Sequence, residues 1–326
     1  MDPKPERFMA QLISHQPKSG AVLPLTLFLG VLVGGNFVLA KAIVLTGLTP
    51  LMLFEGQVLG AGLGLCIGLA IKSRHDFRAL LGRPVALYCL INGLLGVSAP
   101  QILSYVALQQ VSAGLFSALV TLSPLLTFCF ASLIRRELLP LHRLTGILVG
   151  LAAVTLAMAD GNRSMEAGLP WLLAAGLVPV LLALTNVYRE RAMPQGANPL
   201  VLAGGTLLSQ AVLFLPVALV WGGGLPQFQA QIWIGPAILL VCAATALGYV
   251  LTFELLRRTD GVGFSQVGYV VTLTGIAAGA IFFQEPVGPV FALSVLLLFL
   301  GVALSNASAP RFPRLFKRPQ PSNKEI

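Results

Sequence analysis

The sequence predicts an all-α integral membrane protein of ten transmembrane helices, built as two inverted five-helix repeats. Three observations carry this prediction. Of the 326 residues, 56% are hydrophobic and only 10% are charged, and the mean hydropathy is +0.86. A soluble domain carries about 25% charged residues, so too few polar side chains are present here to cover a water-facing surface. The apolar residues fall in runs of about twenty, the length of a helix that crosses a bilayer, rather than in the alternating segments of about ten that make a barrel. Features also recur in the same order in the two halves of the chain.

The runs place helices at 23–45, 50–71, 85–106, 111–133, 141–160, 168–188, 199–221, 233–256, 261–283 and 287–306. A cytoplasmic tail over 1–22 precedes a first repeat at 23–160. The second repeat covers 168–306, and a basic cytoplasmic tail covers 307–326. The opening "MDPKPERFMAQLISHQPKSG" has two acids and no apolar core, so neither a signal peptide nor a transit peptide is expected there. Connections are short, and successive helices are expected to be antiparallel neighbours.

Orientation follows from the basic residues. All but Lys41 and Arg163 of the 21 lysines and arginines lie in the two tails or in the joints after helices 2, 4, 6 and 8. The positive-inside rule then puts both termini in the cytoplasm of a bacterial-type cell, with the protein in the inner (plasma) membrane. Trp171, Trp221 and Trp233 sit at the opposite interface, where indoles are favoured. The formal charge of +9 is accounted for by these joints and tails, and no nucleic-acid partner is expected. The basic C-terminal tail is read as a lipid-surface anchor.

The repeat appears when the chain is slid by 148 residues. Phe116–Ser117 then meets Phe264–Ser265, and Glu137 in "LIRRELLP" meets Glu285 in "IFFQEPVGP". Near the front of each half, with an offset of 150, "NFVLAK" at 36–41 lies over "NVYRER" at 186–191, pairing Asn36 with Asn186 and Lys41 with Arg191. Five is odd, so the second copy inserts upside down. Inverted repeats belong to transporters, whose substrate site lies near the midplane between the halves. Glu137 and Glu285 are helix-cap or gate candidates. Each precedes the last helix of its half, where free N–H groups and the helix dipole favour an acid. The alternative is a gate latch, with Glu137 pairing a base such as Arg136.

These residues resemble the drug/metabolite transporter superfamily, in particular its EamA-type members. The resemblance rests on "GGNFVLAK" with Pro50, on the segment "SYVALQQVSAGLFSALVTLSP" through "RREL" into helix 5, and on "FELLRRTDGVGFSQ" and "FFQEPVGP". It covers about residues 25–306. It implies alternating-access movement of a small organic metabolite or drug, often outward. Two departures stand out. "PLMLFEGQ" has Glu55 and Gln57 where such proteins often carry an arginine, so no anion-binding expectation is carried over. Thr272 stands where helix 4 has Pro124.

Charge at depth is costly and is the best pointer to a site. Lys41 and Glu55 each lie about five residues from the turn between helices 1 and 2, at nearly the same depth, and a hairpin can bring them together. They form either an outer-leaflet pair, with Lys41 snorkelling to the headgroups, or a site. In the second case Glu55 takes a substrate amine or a coupling proton, and Lys41 holds it ionised or binds a carboxylate. Asn36, Gln101, Ser117, Thr121, Gln266 and Tyr269 complete the substrate-binding candidates, against the alternative that such groups serve helix packing. Glu254 is expected to pair with Arg257 and Arg258. Small residues four apart, as in "GVLVG", "GLGLCIG", "GILVG" and "GIAAG", let helices approach closely. Pro100, Pro124, Pro179 and Pro216 are expected to kink their helices.

Other classes fare worse. His15, His75 and His142 lie in tails or joints, no HExxH or buried carboxylate pair is present, and no Walker sequence occurs. No enzyme activity, cofactor or metal is expected. The four cysteines, all in apolar runs, read as packing residues. The expected partners are a small organic solute, a coupling proton and the bilayer, with a homodimer as one option for assembly. A flippase for a lipid-linked sugar is the nearest alternative, and an embedded enzyme or a structural protein the more distant one.

Overall fold

The computed structural model describes residues 22–72, 82–135, 141–159, 168–222, 232–259, 264 and 266–306. Every regular element among them is helical. We label them α1 (Val22–Val44), α2 (Pro50–Lys72), α3 (Arg83–Leu108), α4 (Ala113–Val120, resumed as Leu122–Arg135), α5 (Leu141–Ala159), α6 (Leu169–Ala192), α7 (Pro199–Trp221), α8 (Ile234–Leu256), α9 (Val267–Phe282) and α10 (Pro289–Asn306). Seven of them, α1–α4 and α6–α8, are long and apolar enough to cross a membrane. The apolar stretches of the rest are shorter: Leu144–Ala157, Val267–Phe282 and Pro289–Leu304. In lipid the backbone must satisfy itself, and a helix is the way an apolar run does so.

Local chemistry sets the ends. Prolines open α2, α7 and α10, where a missing N–H costs nothing. Asn198 caps α7 through Leu200 N at 3.0 Å, and Ser112 caps α4 through Leu115 N at 3.2 Å. Gly47, at φ +96°, turns the chain between α1 and α2 in a conformation that side chains disfavour. α6 runs on to Ala192, past the expected end at 188, and stops with Met193 extended before Pro194. That extension places Arg189 inside the helix rather than in a joint.

Burial differs from that of a soluble protein in its outer face and in the polar groups it encloses. Leu23, Ile71, Leu173 and Val220 face outward, whereas Gln57, Asn92, Thr185 and Gln210 are fully enclosed. Polar groups in membrane helices serve the interior of the bundle, as here.

The main packing is between the halves. α1 packs on α8 and α9, α6 on α3 and α4, α2 on α7 and α8, α3 on α7, α4 on α9, and α5 on α10. Renumbering each helix by five maps this set onto itself. Sequence neighbours are not the chief partners: α1 makes only slight contact with α2. A short joint fixes the direction of the next helix, but small residues decide which faces meet. Gly30 lies under Val270 and Gly34 under Thr274, and this brings α1 onto α9. Gly62 faces the α7 backbone at Leu208, whereas Gly64 and Gly68 of the same motif meet nothing within 4 Å.

Two prolines act visibly. α4 breaks at Thr121, just before Pro124, and α3 widens into a π turn over Leu94–Ser98, just before Pro100. Pro100 has no N–H for the carbonyl of Gly96, and the Tyr249 hydroxyl donates to that carbonyl instead, at 3.1 Å. Pro179 and Pro216 lie within α6 and α7, which continue past them. The four cysteines are free, and Glu254 pairs with Arg257 at 3.5 Å and with Arg258.

Candidate functional site

A cavity of about 160 Å³ lies between the two halves. Its wall comes from residues 29–37 of α1, 96–104 of α3, 178–189 of α6, 244–252 of α8 and 267–271 of α9, with Gln57 of α2 and Val120 and Ser123 of α4. A dry cavity of about 150 Å³ holds a benzene ring, which sets the scale of what fits.

One side of the wall is a connected polar chain. Gln101 donates to the Tyr105 hydroxyl at 2.9 Å, and Tyr105 donates to Gln57 Oε1. Gln57 and Asn36 both donate to Thr245 Oγ1, at 2.5 and 3.2 Å. Asn36 Oδ1 is left without a partner. Such a chain holds each amide in one orientation, and a buried acceptor without a partner calls for an explanation. Across the cavity, Arg189 Nε donates to Asn92 Oδ1 at 2.6 Å, and Asn92 is in turn held on Thr206 at 3.2 Å.

At the other end of α1 lies a second cluster. Lys41 Nζ meets Glu285 Oε1 at 2.7 Å, with each side chain 10% exposed, and it also donates to Val111 O at 3.3 Å. It stands 4.8 Å from the centre of the Phe283 ring. The same carboxylate accepts from Ala113 N at 2.8 Å and Gly114 N at 3.0 Å. With Ser112, it satisfies the first three amides of α4. Burial opposes ionisation of Glu285, but the Lys41 hydrogen bond and the Gly114 and Ala113 amides outweigh it and hold the carboxyl below its usual range. One carboxylate thus ties together α1, the start of α4 and the α9–α10 loop.

Two expectations are corrected here. Glu285 caps α4, not its own helix α10, which begins four residues later. The backbone at Gln284, φ 53°, and the Glu285 N–H on Gly279 O fold the carboxylate back across the bundle. Lys41 pairs with Glu285, not with Glu55. Equal depth does not make neighbours, because the two residues face different helices. Glu55 shares its stripe of α2 with Gly62 and Cys66, seven and eleven residues on, and that stripe presses on α7 at Leu208 and Gly204. Glu55 is buried, and neither of its oxygens has a hydrogen-bond partner.

Of the other candidates, Asn36 and Gln101 line the cavity. Ser117 and Thr121 are buried between α4 and α9, where Thr272 donates to the Ser117 carbonyl at 2.7 Å and its hydroxyl meets that of Thr121. Tyr269 lies beside Phe299, with ring centres 5.9 Å apart, and Gln266 is exposed before α9. None of these four is in the cavity wall. Glu137 and Arg136 lie outside the described residues. Arg189, Gln57, Thr245 and Asn186 line the cavity without having been singled out as site residues. Asn186 had a signal, as the repeat mate of Asn36.

Burying Glu55 unpaired should cost stability. Glu55→Met is therefore expected to raise the melting temperature by the equivalent of about 1–3 kcal/mol. A fall in a thermal-unfolding measurement would contradict its isolation.

Residues 21–159 and 169–307 each match the model of the EamA-like transporter family. The chain is 28% identical over 298 residues to "Uncharacterized transporter YvbV" of Bacillus subtilis (strain 168), covering 90% of this chain and 93% of that protein. Over 111 residues it is 39% identical to the "WAT1-related protein At1g68170" of Arabidopsis thaliana, 33% of this chain and 29% of the relative. A solved crystal structure shares the fold at a TM-score of 0.58 and 20% identity, covering 85% of this chain and 96% of that one.

Proposed function

Because the chain belongs to the EamA-like transporter family, a membrane transporter of small solutes, we propose that it moves a small organic solute through the central cavity by alternating access. The observation that carries the reading is the position of the cavity relative to the Lys41–Glu285 cluster. On α1 the wall stops at Phe37, four residues before Lys41, and on α9 it stops at Val271, far from Phe283. On α6, α8 and α9 the wall thus lies toward the ends near Arg189, Arg257 and Arg258, on α2 and α3 it reaches Gln57 and Ser104 in the other half of the bundle, and the ion pair ties the helix ends beyond them. This is an inward-facing arrangement with the outer end latched.

The rest of the proposal follows from that. Ten crossings form two inverted five-helix halves, at about 23–160 and 168–306, and the packing that maps onto itself when helices are renumbered by five supports this. Both termini are placed in the cytoplasm at a bacterial inner membrane, and the direction is outward. The solute is held by the Asn36–Thr245–Gln57 chain and Gln101. Release of Lys41 from Glu285 opens the outer end. Glu55, unpaired and outside the cavity wall, is assigned the coupling proton rather than a substrate amine.

The test uses purified protein in proteoliposomes, with any solute found by thermal-shift screening. Asn36→Ala and Gln57→Leu should each weaken both binding and counterflow, by about tenfold if one hydrogen bond to the solute is lost. Counterflow that survives both substitutions unchanged would move the transport path away from this cavity.

A further inference from the structure

The cavity wall contains one charged side chain among the described residues. Arg189 is 4% exposed, and no acidic partner for it exists among those residues. Among the described residues, no aspartate or glutamate lines the cavity beside it. A guanidinium enclosed in a membrane bundle is expensive unless something answers its charge.

The surroundings hold this group in place without neutralising it. Its Nε is fixed on Asn92, which Thr206 fixes in turn. Its centre stands 5.9 Å from the Phe253 ring and 5.9 Å from the Phe264 ring, a geometry in which aromatic faces steady a cation. Gly96, in the π turn of α3, leaves room for the far end. A Cβ there would stand 2.9 Å from Nη2 and 2.4 Å from Thr185 Cγ2. The irregular turn made by Pro100 therefore presents a glycine where the guanidinium needs space. Much of the remaining lining is apolar, including Leu29, Leu32, Val33 and Leu182.

Taking the cavity as the solute site, as proposed above, we propose that Arg189 is its charged end and that the solute is a small organic anion: a carboxylate on an apolar body on the order of a benzene ring. Arg189 supplies a planar fork for the carboxylate. Asn36 and Gln101 take a polar substituent at the far end. Among the described residues, no acid lines the cavity to receive an amine.

Benzoate, benzyl alcohol and benzylamine have nearly one shape and three charges. Binding of each is measured by thermal shift and by titration to the purified full chain, wild type, Arg189→Gln and Arg189→Lys; hexanoate serves as a second carboxylate. The expected result is that carboxylates bind best to the wild type. Arg189→Gln should weaken them about tenfold to a hundredfold and leave benzyl alcohol unchanged. Arg189→Lys, which keeps the charge without the fork, should retain part of the preference. The wild-type series decides the matter even if Arg189→Gln does not fold. Benzylamine or benzyl alcohol binding as tightly as benzoate, or carboxylate binding untouched in Arg189→Gln, overturns the inference and leaves the cavity as a solute site. Silence from the whole series overturns the inference alone, because the transport reading is decided by the counterflow measurement above.

Discussion

Glu285→Ala is expected to destabilise the protein by about 3–5 kcal/mol, and by more than Lys41→Met. Removing one partner of a buried pair strands the other charge. The two losses differ because Glu285 does more than neutralise a lysine: it also accepts the Ala113 and Gly114 amides at the start of α4. The charge swap Lys41→Glu with Glu285→Lys separates these roles. It restores an ion pair but sets a cation against a helix N-terminus, where an anion is favoured. It should therefore rescue only part of the loss. Full rescue in thermal unfolding would mean that the cap contributes nothing.

The same carboxylate gives a pH dependence of known sign. Its folded value is lowered, so the stability it contributes is fully present above the ordinary carboxylate range, about pH 4.3, and is lost as pH falls through the lowered folded value. Acid melting of wild type and Glu285→Gln should converge at the acid end of that window. Parallel curves would place the acid-sensitive group elsewhere.

The second large effect is expected at Gly301, on the face of α10 that packs on α5. A Cβ there would stand 2.7 Å from both Gly146 O and Gly150 N and 3.2 Å from Gly150 Cα. These are backbone atoms, and no rotamer change relieves the clash. Gly301→Val must push two helices apart along a contact that holds α5 against the bundle. Overpacking typically costs about 1–3 kcal/mol, and a backbone clash lies at or above the upper end. The measurement is the melting temperature and the yield of monodisperse protein. A melting temperature equal to wild type would show that the α5–α10 approach is looser than described. Gly64→Val, where nothing lies within 4 Å, is the matched control.

Depth along each helix is legible in the sequence, and rotation about its axis is not. Run lengths place most ends of the described helices within a few residues of expectation, and they put Lys41 and Glu55 about equally far along the chain from the α1–α2 turn. Which helix each one faces depends on where small residues let backbones approach, and a four-residue spacing of glycines does not name the partner helix. The C-terminal turn of α6 was hidden for a related reason. "YRER" has the charges of a joint, so Arg189 counts toward topology and escapes notice as a buried group. The repeat held part of the missing information. Asn36 and Asn186 are mates, both line the cavity, and Arg189 is three residues beyond the second. The capping of α4 by Glu285 joins residues 172 apart in sequence, which no local pattern encodes.

Sided labelling tests the central claim most directly. Ser104 lines the cavity deep in α3, near its end on the Lys41–Glu285 side. With Cys66, Cys89, Cys129 and Cys242 replaced, Ser104→Cys is introduced and a membrane-impermeant thiol reagent is applied to each face of reconstituted vesicles. With the ion pair intact, labelling is predicted from the face bearing the basic joints and not from the other. With Glu285→Gln added, labelling from the second face should appear. Equal labelling from both faces with the pair intact, or no change when it is broken, would contradict a cavity closed on one side by Lys41 and Glu285.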